Sequence, residues 1–172
     1  MRAKYFDYSS TGAYFLTICT KDKKHILSRI VGTGVLDRPQ KGVLDRPGNG
    51  VLDRPQTELL QGGKIAEKYI KQLDGFYGNV TVNEYVIMPN HIHLIVSIER
   101  DGPSGTPVPT LLNSTVSKFV STLKRFVNKE VGENIFQRSF YDRIVRNNDE
   151  YMEICNYIRL NPDNWENDEL YN

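Results

Sequence analysis

Two long apolar runs separated by only two residues constrain this chain more than any other feature. Val80–Met88 and His91–Glu99 are dense in β-branched and aliphatic residues, and only Pro89-Asn90 joins them. Such residues favour a pleated surface, and so short a connection forces two strands to lie antiparallel. The pair reads as a hairpin buried on at least one face, so the chain must also supply further strands and covering helices.

The rest of the sequence supplies them. Ala13–Thr20 (AYFLTICT) is a first strand, ending in the basic Lys21-Asp22-Lys23-Lys24. From Thr57 to about Leu73 an apolar stripe of Leu59, Leu60, Ile65, Ala66, Tyr69, Ile70 and Leu73 predicts a helix, weakened at its start by Gly62 and Gly63. Ser114–Val131 is the clearest helix, with Val116, Phe119, Val120, Leu123, Phe126 and Val127 on one face, Asn113 or Ser114 as N-cap and Gly132 at the stop. A segment Ile135–Val145 precedes a last helix over Asn148–Leu160, which Pro162 closes. Gly102–Pro109 (GPSGTPVP) is a loop. The order strand, helix, hairpin, helix, helix predicts an α+β, ferredoxin-like antiparallel sheet with helices packed on one face. At 172 residues the chain suits one domain, 1–172.

One stretch stands outside that pattern. GVLDRP begins at Gly34, Gly42 and Gly50, three copies at a period of eight. The unit is too short for a solenoid repeat, and its glycines and prolines punctuate any regular element. Residues 32–56 read as an inserted, mobile loop, of a kind that a domain tolerates well.

Composition narrows the function classes. With 39% hydrophobic and 25% charged residues the chain resembles an ordinary globular protein. No apolar run spans a bilayer, and MRAKYFDYSS lacks the apolar core of a signal peptide, so a cytoplasmic protein without membrane contact is expected. Two cysteines, Cys19 and Cys155, argue against a disulfide framework or a cysteine zinc site. The net charge of +1 conceals basic blocks over 1–33 and 111–147 and an acidic tail over 162–172. Such blocks suit a polyanion-binding surface and equally suit a solvated one.

Two pairs of residues can carry chemistry. His91 and His93, two apart in a strand, leave the same face and make a half-site for a divalent metal. Polar residues on an exposed strand face, or one histidine satisfied within the core, would show the same spacing. Tyr157 and Asn161, four apart, are neighbours on the last helix, and Tyr157 is not needed for the apolar stripe of Tyr151, Ile154, Cys155 and Ile158. A tyrosine hydroxyl can attack a phosphodiester polarised by a metal; a packed tyrosine and a helix-ending asparagine are the structural alternatives, and Tyr141 and Tyr151 are competing tyrosines.

The stretch NEYVIMPNHIHLI, residues 83–95, resembles the metal-binding segment of the REP-associated tyrosine transposases and their single-tyrosine IS200-like relatives of the HUH superfamily. IFQRSFYD (135–142), RNNDEY (146–151), YIRLNP (157–162) and YFLTICT (14–20) are similar to further segments of that family, in the same order. The resemblance covers roughly residues 4–30 and 57–165. It implies a ferredoxin-like domain that cleaves and rejoins single-stranded or hairpin DNA through a 5′-phosphotyrosine, using Mg²⁺ or Mn²⁺. His91 and His93 would be metal ligands, Tyr157 the nucleophile and Asn161 a supporting metal contact, where many relatives carry glutamine. Lys118, Lys124, Arg125, Arg138, Arg143 and Arg146 are the candidates for DNA-backbone contacts, with Phe140 and Tyr141 placed to stack on bases. The chain stops at Asn172, so a long DNA-gripping tail is not expected; some relatives act as homodimers and others alone. A nucleic-acid-binding module without catalysis, and a hydrolase that activates water, are the alternatives.

Overall fold

The computed structural model describes residues 12–32, 54–99 and 109–171, with side chains from Thr115 onward in the last stretch. The expected hairpin forms one side of its sheet: β4 (Val80–Ile87) and β5 (His91–Ile98) pair antiparallel, Ile87 against Ile92 and Val80 against Ile98. β1 (Gly12–Cys19) pairs with the other side of β5, and β6 (Tyr141–Val145) with the other side of β1, giving the order β4-β5-β1-β6. Helix α1 (Gln61–Leu73) falls between β1 and β4, and α2 (Pro109–Val131) between β5 and β6. This is the β-α-β-β-α-β succession of a ferredoxin-like sheet. The α+β, ferredoxin-like expectation holds.

Strand alternation sorts the side chains into two cores. Leu16, Ile18, Ile92, Leu94 and Val96 face α1 and α2, where Ile65, Ile70, Phe119 and Leu123 complete the larger cluster. Ala13, Ile95 and Val145 face the opposite way and receive Ile154, Cys155 and Ile158 of α3 (Asn148–Leu160). Helices on one face therefore describes α1 and α2, whereas α3 crosses the other. Every residue of β5 is buried because both faces are covered, which is why its sequence reads as a nearly unbroken apolar run.

The starts of α1 and α2 differ from the sequence expectation, and so does the role of two glycines. Gln56–Leu59 is a strand, β3, paired with β2 (Ser28–Val31), and α1 starts only at Gln61. Its residues alternate between exposed and half-buried, a period of two that the apolar stripe of the following helix masks. Gly62 and Gly63 do not weaken the helix so much as permit it: a Cβ on Gly63 would sit 2.0 Å from the Leu27 carbonyl oxygen, and one on Gly62 2.8 Å from that of Ile26. Only glycine lets α1 approach that backbone so closely. Lastly, α2 begins at Pro109, ahead of the Asn113 or Ser114 cap, a first-turn position that proline suits. Residues 33–53, with most of the GVLDRP repeats, and residues 100–108, with most of the second loop, lie outside the described residues; the described ends on either side of the repeats meet where Val31 pairs with Gln56.

Candidate active site

His91 opens β5 opposite Cys19, and His93 follows opposite Thr17. Both side chains project to the α3 side of the sheet, with ring centroids 4.4 Å apart. Their residual exposures of 0% and 3% remove the exposed-strand alternative.

The ring orientation of His91 follows from its neighbour. Asn90 donates from Nδ2 to the Leu170 carbonyl at 2.8 Å, so its Oδ1 is the atom left facing His91 Nδ1, also at 2.8 Å. An amide oxygen only accepts, so Nδ1 carries the proton and Nε2 keeps its lone pair. That Nε2 is buried without a hydrogen-bond partner among the described residues. His93 Nδ1 meets Thr17 Oγ1 at 2.9 Å, and Phe15 stacks on its ring with centroids 5.1 Å apart. Burial drives the His91 value down to about 4 against the opposing pull of Asp168, and holds His93 well below its ordinary value, helped by His91. Both imidazoles are neutral at pH 7, the form that coordinates a metal.

Helix α3 brings the tyrosine. Asn147 caps it by accepting from the Glu150 amide at 2.8 Å, while Glu150 accepts in return from the Arg146 amide at 2.8 Å. Ile154, Cys155 and Ile158 fix its buried side, and the next face carries Tyr157 and Asn161. Tyr157 Oη lies 3.3 Å from His93 Nε2, and its ring meets Phe15 edge-on at 6.0 Å. Burial, with Asp168 adding to it, pushes the phenol up to about 12. Of the competing tyrosines, Tyr141 stands 66% exposed on edge strand β6, and Tyr151 packs with Ile154 and Cys155.

Asn161 is only 2% exposed; it donates from Nδ2 to Asp168 Oδ2 at 3.0 Å, and its Oδ1 is buried with no hydrogen-bond partner among the described residues. Asp168 was not legible as a site residue. It arrives because a 3₁₀ turn, Pro162–Asn167, folds the tail back over the histidines. Trp165 is 8% exposed, its ring 5.9 Å from that of His91 and 5.6 Å from that of His25. Ligand atoms of His91, His93 and Asp168 then all lie within 4.8 Å of one another. Two imidazole nitrogens, a carboxylate and an orphaned amide oxygen form a mixed nitrogen–oxygen donor set, which fits a divalent cation such as Mn²⁺.

The six candidate DNA contacts divide between α2, the segment before β6, and β6 with the residue that follows it. Lys118 and Arg125 lie on α2, which packs against the sheet face opposite the histidines; with Tyr77, Ser117, Ser121 and Thr122 they line an open groove of about 360 Å³. Lys124 does not suit a phosphate contact as expected. Its Nζ donates to the carbonyls of Gln137, Arg138 and Ser139 at 2.8–3.4 Å and sits 5.6 Å from the Phe140 ring, so it pins the chain before β6. Phe140, partly buried against the core, is poorly free to stack on a base. Arg138 is exposed. Arg143, on β6 opposite Phe15, is paired with Glu150, whose carboxylate also accepts from the Arg146 amide.

A family model described as "Transposase IS200 like" matches residues 62–161. A Haemophilus influenzae protein described only as uncharacterized is 27% identical over 186 aligned positions, covering 99% of this chain and 91% of its own. Among solved structures, a REP-associated tyrosine transposase bound to a REP hairpin superposes with a TM-score of 0.54 at 16% identity, covering 94% of this chain and 73% of that one. At that identity the likeness speaks for the fold.

Proposed function

The chain belongs to the IS200-like transposase family, and on that premise we propose that it cuts and rejoins single-stranded or hairpin DNA through a covalent 5′-phosphotyrosine on Tyr157, with a divalent cation held by His91, His93 and Asn161. The observation that carries this reading is the conjunction of an orphaned His91 Nε2 with a tyrosine hydroxyl 3.3 Å from His93 Nε2. The Tyr157 hydroxyl therefore stands beside a buried, neutral imidazole of the histidine pair.

The chain's own residues divide the work. Asn90 and Thr17 hold the two rings so that their Nε2 atoms face the site. Phe15 supports both His93 and Tyr157 from below. Tyr157 keeps its proton at neutral pH, so it is a nucleophile only when positive charge stands beside it. A bound Mg²⁺ or Mn²⁺ supplies that charge and offsets the repulsion between an incoming oxyanion and the phosphate. Tyr157 Oη forms a bond to phosphorus, the phosphorus–O3′ bond breaks, and the 3′ oxygen leaves as a hydroxyl with a proton. The ester keeps the bond energy, so a 3′ hydroxyl can reverse the step and join strands.

The test is a covalent one. Labelled single-stranded DNA incubated with the protein and Mn²⁺ should leave a DNA-linked protein band that Tyr157→Phe abolishes. Cleavage with no band would favour water as nucleophile, and binding without cleavage an inert module. Loss of the band in Tyr141→Phe or Tyr151→Phe, with Tyr157→Phe active, would move the nucleophile elsewhere.

A further inference from the structure

We propose that Asp168 is a further ligand of the cation, so that docking of the C-terminal segment 162–171 and binding of the ion are one coupled equilibrium. This rests on the reading that His91 and His93 hold the ion, and it adds a residue which lies outside the strand and helix that carry the family resemblance.

Distance is the first argument. An octahedral ion about 2.1 Å from each ligand sets its ligand atoms roughly 3 to 4.2 Å apart. The atoms of His91, His93 and Asp168 lie within 4.8 Å of one another, so closing on an ion needs shifts well under 1 Å. Satisfaction is the second. Asp168 Oδ1 accepts from the Leu170 amide at 2.7 Å, and Oδ2 accepts from Asn161 Nδ2 at 3.0 Å and from Tyr157 Oη at 3.4 Å. These bonds aim the carboxylate and turn the Asn161 amide so that its oxygen is left over. Two buried acceptors, His91 Nε2 and Asn161 Oδ1, then have no hydrogen-bond donor among the described residues. Buried lone pairs are rarely left so without a cation or water among them.

Charge is the third. The tail carries Asp163, Glu166, Asp168 and Glu169 and no base. It is nevertheless held against a site for a polyanion, by Trp165 beside His91 and by Asn90 Nδ2 bonding the Leu170 carbonyl. A divalent ion among two neutral imidazoles and one carboxylate leaves a net +1 at the mouth. Without the ion, the Asp168 carboxylate beside Tyr157 repels a phosphate. Asn90 links the two halves of the coupling, since its Oδ1 orients His91 while its Nδ2 holds the tail.

The chain has a single tryptophan, Trp165, whose fluorescence reads the site directly. MnCl2 titrated into the full-length protein should quench it with a stoichiometry of one ion, matched by loss of the free Mn²⁺ signal in electron paramagnetic resonance. Asp168→Asn should weaken that affinity about tenfold or more, with Asp168→Glu in between. Mn²⁺ should slow hydrogen exchange at the 163–171 amides in the native protein and not in Asp168→Asn. Unchanged Mn²⁺ affinity in Asp168→Asn, or no ion-dependent protection in the native protein, overturns the inference while leaving the histidine reading intact. Unchanged affinity together with lost DNA joining also overturns it, and moves Asp168 to the phenol's proton. Unchanged affinity in His91→Ala instead defeats the underlying reading. Should Asp168→Asn fail to fold by circular dichroism, Asp168→Glu and the native exchange data decide.

Discussion

Lowering the pH of the metal-free protein from 7 to 5 should cost stability, and the buried histidines set how much. An unfolded chain takes up a proton on His91 near pH 6.5, but the folded chain refuses it until about pH 4 because burial penalises the imidazolium. Between those values the unfolded state binds more protons than the native one, so acid favours unfolding. Linkage puts the loss from His91 alone at about 2 kcal/mol between pH 7 and pH 5. His93, also held well below its ordinary value, adds to it with the same sign. Against a domain stability on the order of 5–15 kcal/mol the effect is large. The assay is urea unfolding in EDTA at half-unit steps of pH, with His91→Gln measured beside the native chain. The native series should fall through pH 6.5 to 5 with an unchanged slope against urea, and His91→Gln should flatten it. A flat native series, or a variant that falls as steeply, would refute the claim that the imidazoles are buried and neutral.

Other consequences are as direct. Thr17→Val removes the partner of His93 Nδ1 and should weaken Mn²⁺ binding about tenfold, read by the Trp165 signal, and lower stability by about 1–3 kcal/mol through the unpaired buried nitrogen. Gly63→Ala places a Cβ 2.0 Å from the Leu27 oxygen and should destabilise by about 3 kcal/mol, seen as a lower midpoint. Arg138→Ala should lower the slope of log DNA affinity against log salt by about one if the residue meets a phosphate; Lys124→Met, its ammonium already bound to three carbonyls, should leave that slope unchanged. A salt slope altered only by Lys124→Met would reverse this assignment.

Much of the molecule is legible in local patterns. The β4–β5 hairpin, α1 beyond Gln61, the core of α2 and all of α3 follow from periodicity and caps, because each depends on residues within a turn or two of one another. β3 escaped because four alternating residues run straight into a stronger helical stripe. β6 escaped because a short strand pairing at one edge keeps four of its five residues exposed and so lacks a buried pattern. The two glycines read as a helix defect, since the close approach to Ile26 and Leu27 is set by the segment that leads into β2 elsewhere in the chain.

The site divides along the same line. His91 and His93 share a face because a strand alternates, and Tyr157 and Asn161 share one because a helix turns every 3.6 residues; the sequence by itself determined both pairs. Only the tertiary structure decided that α3 crosses the histidine face of the sheet, that Thr17 and Asn90 orient the rings, and that the acidic tail returns to set Asp168 beside them. Those contacts join residues that no local period relates; Thr17 and His93 are 76 positions apart. Spacing along the chain reports which way a side chain points, whereas packing of the two cores determines what it meets.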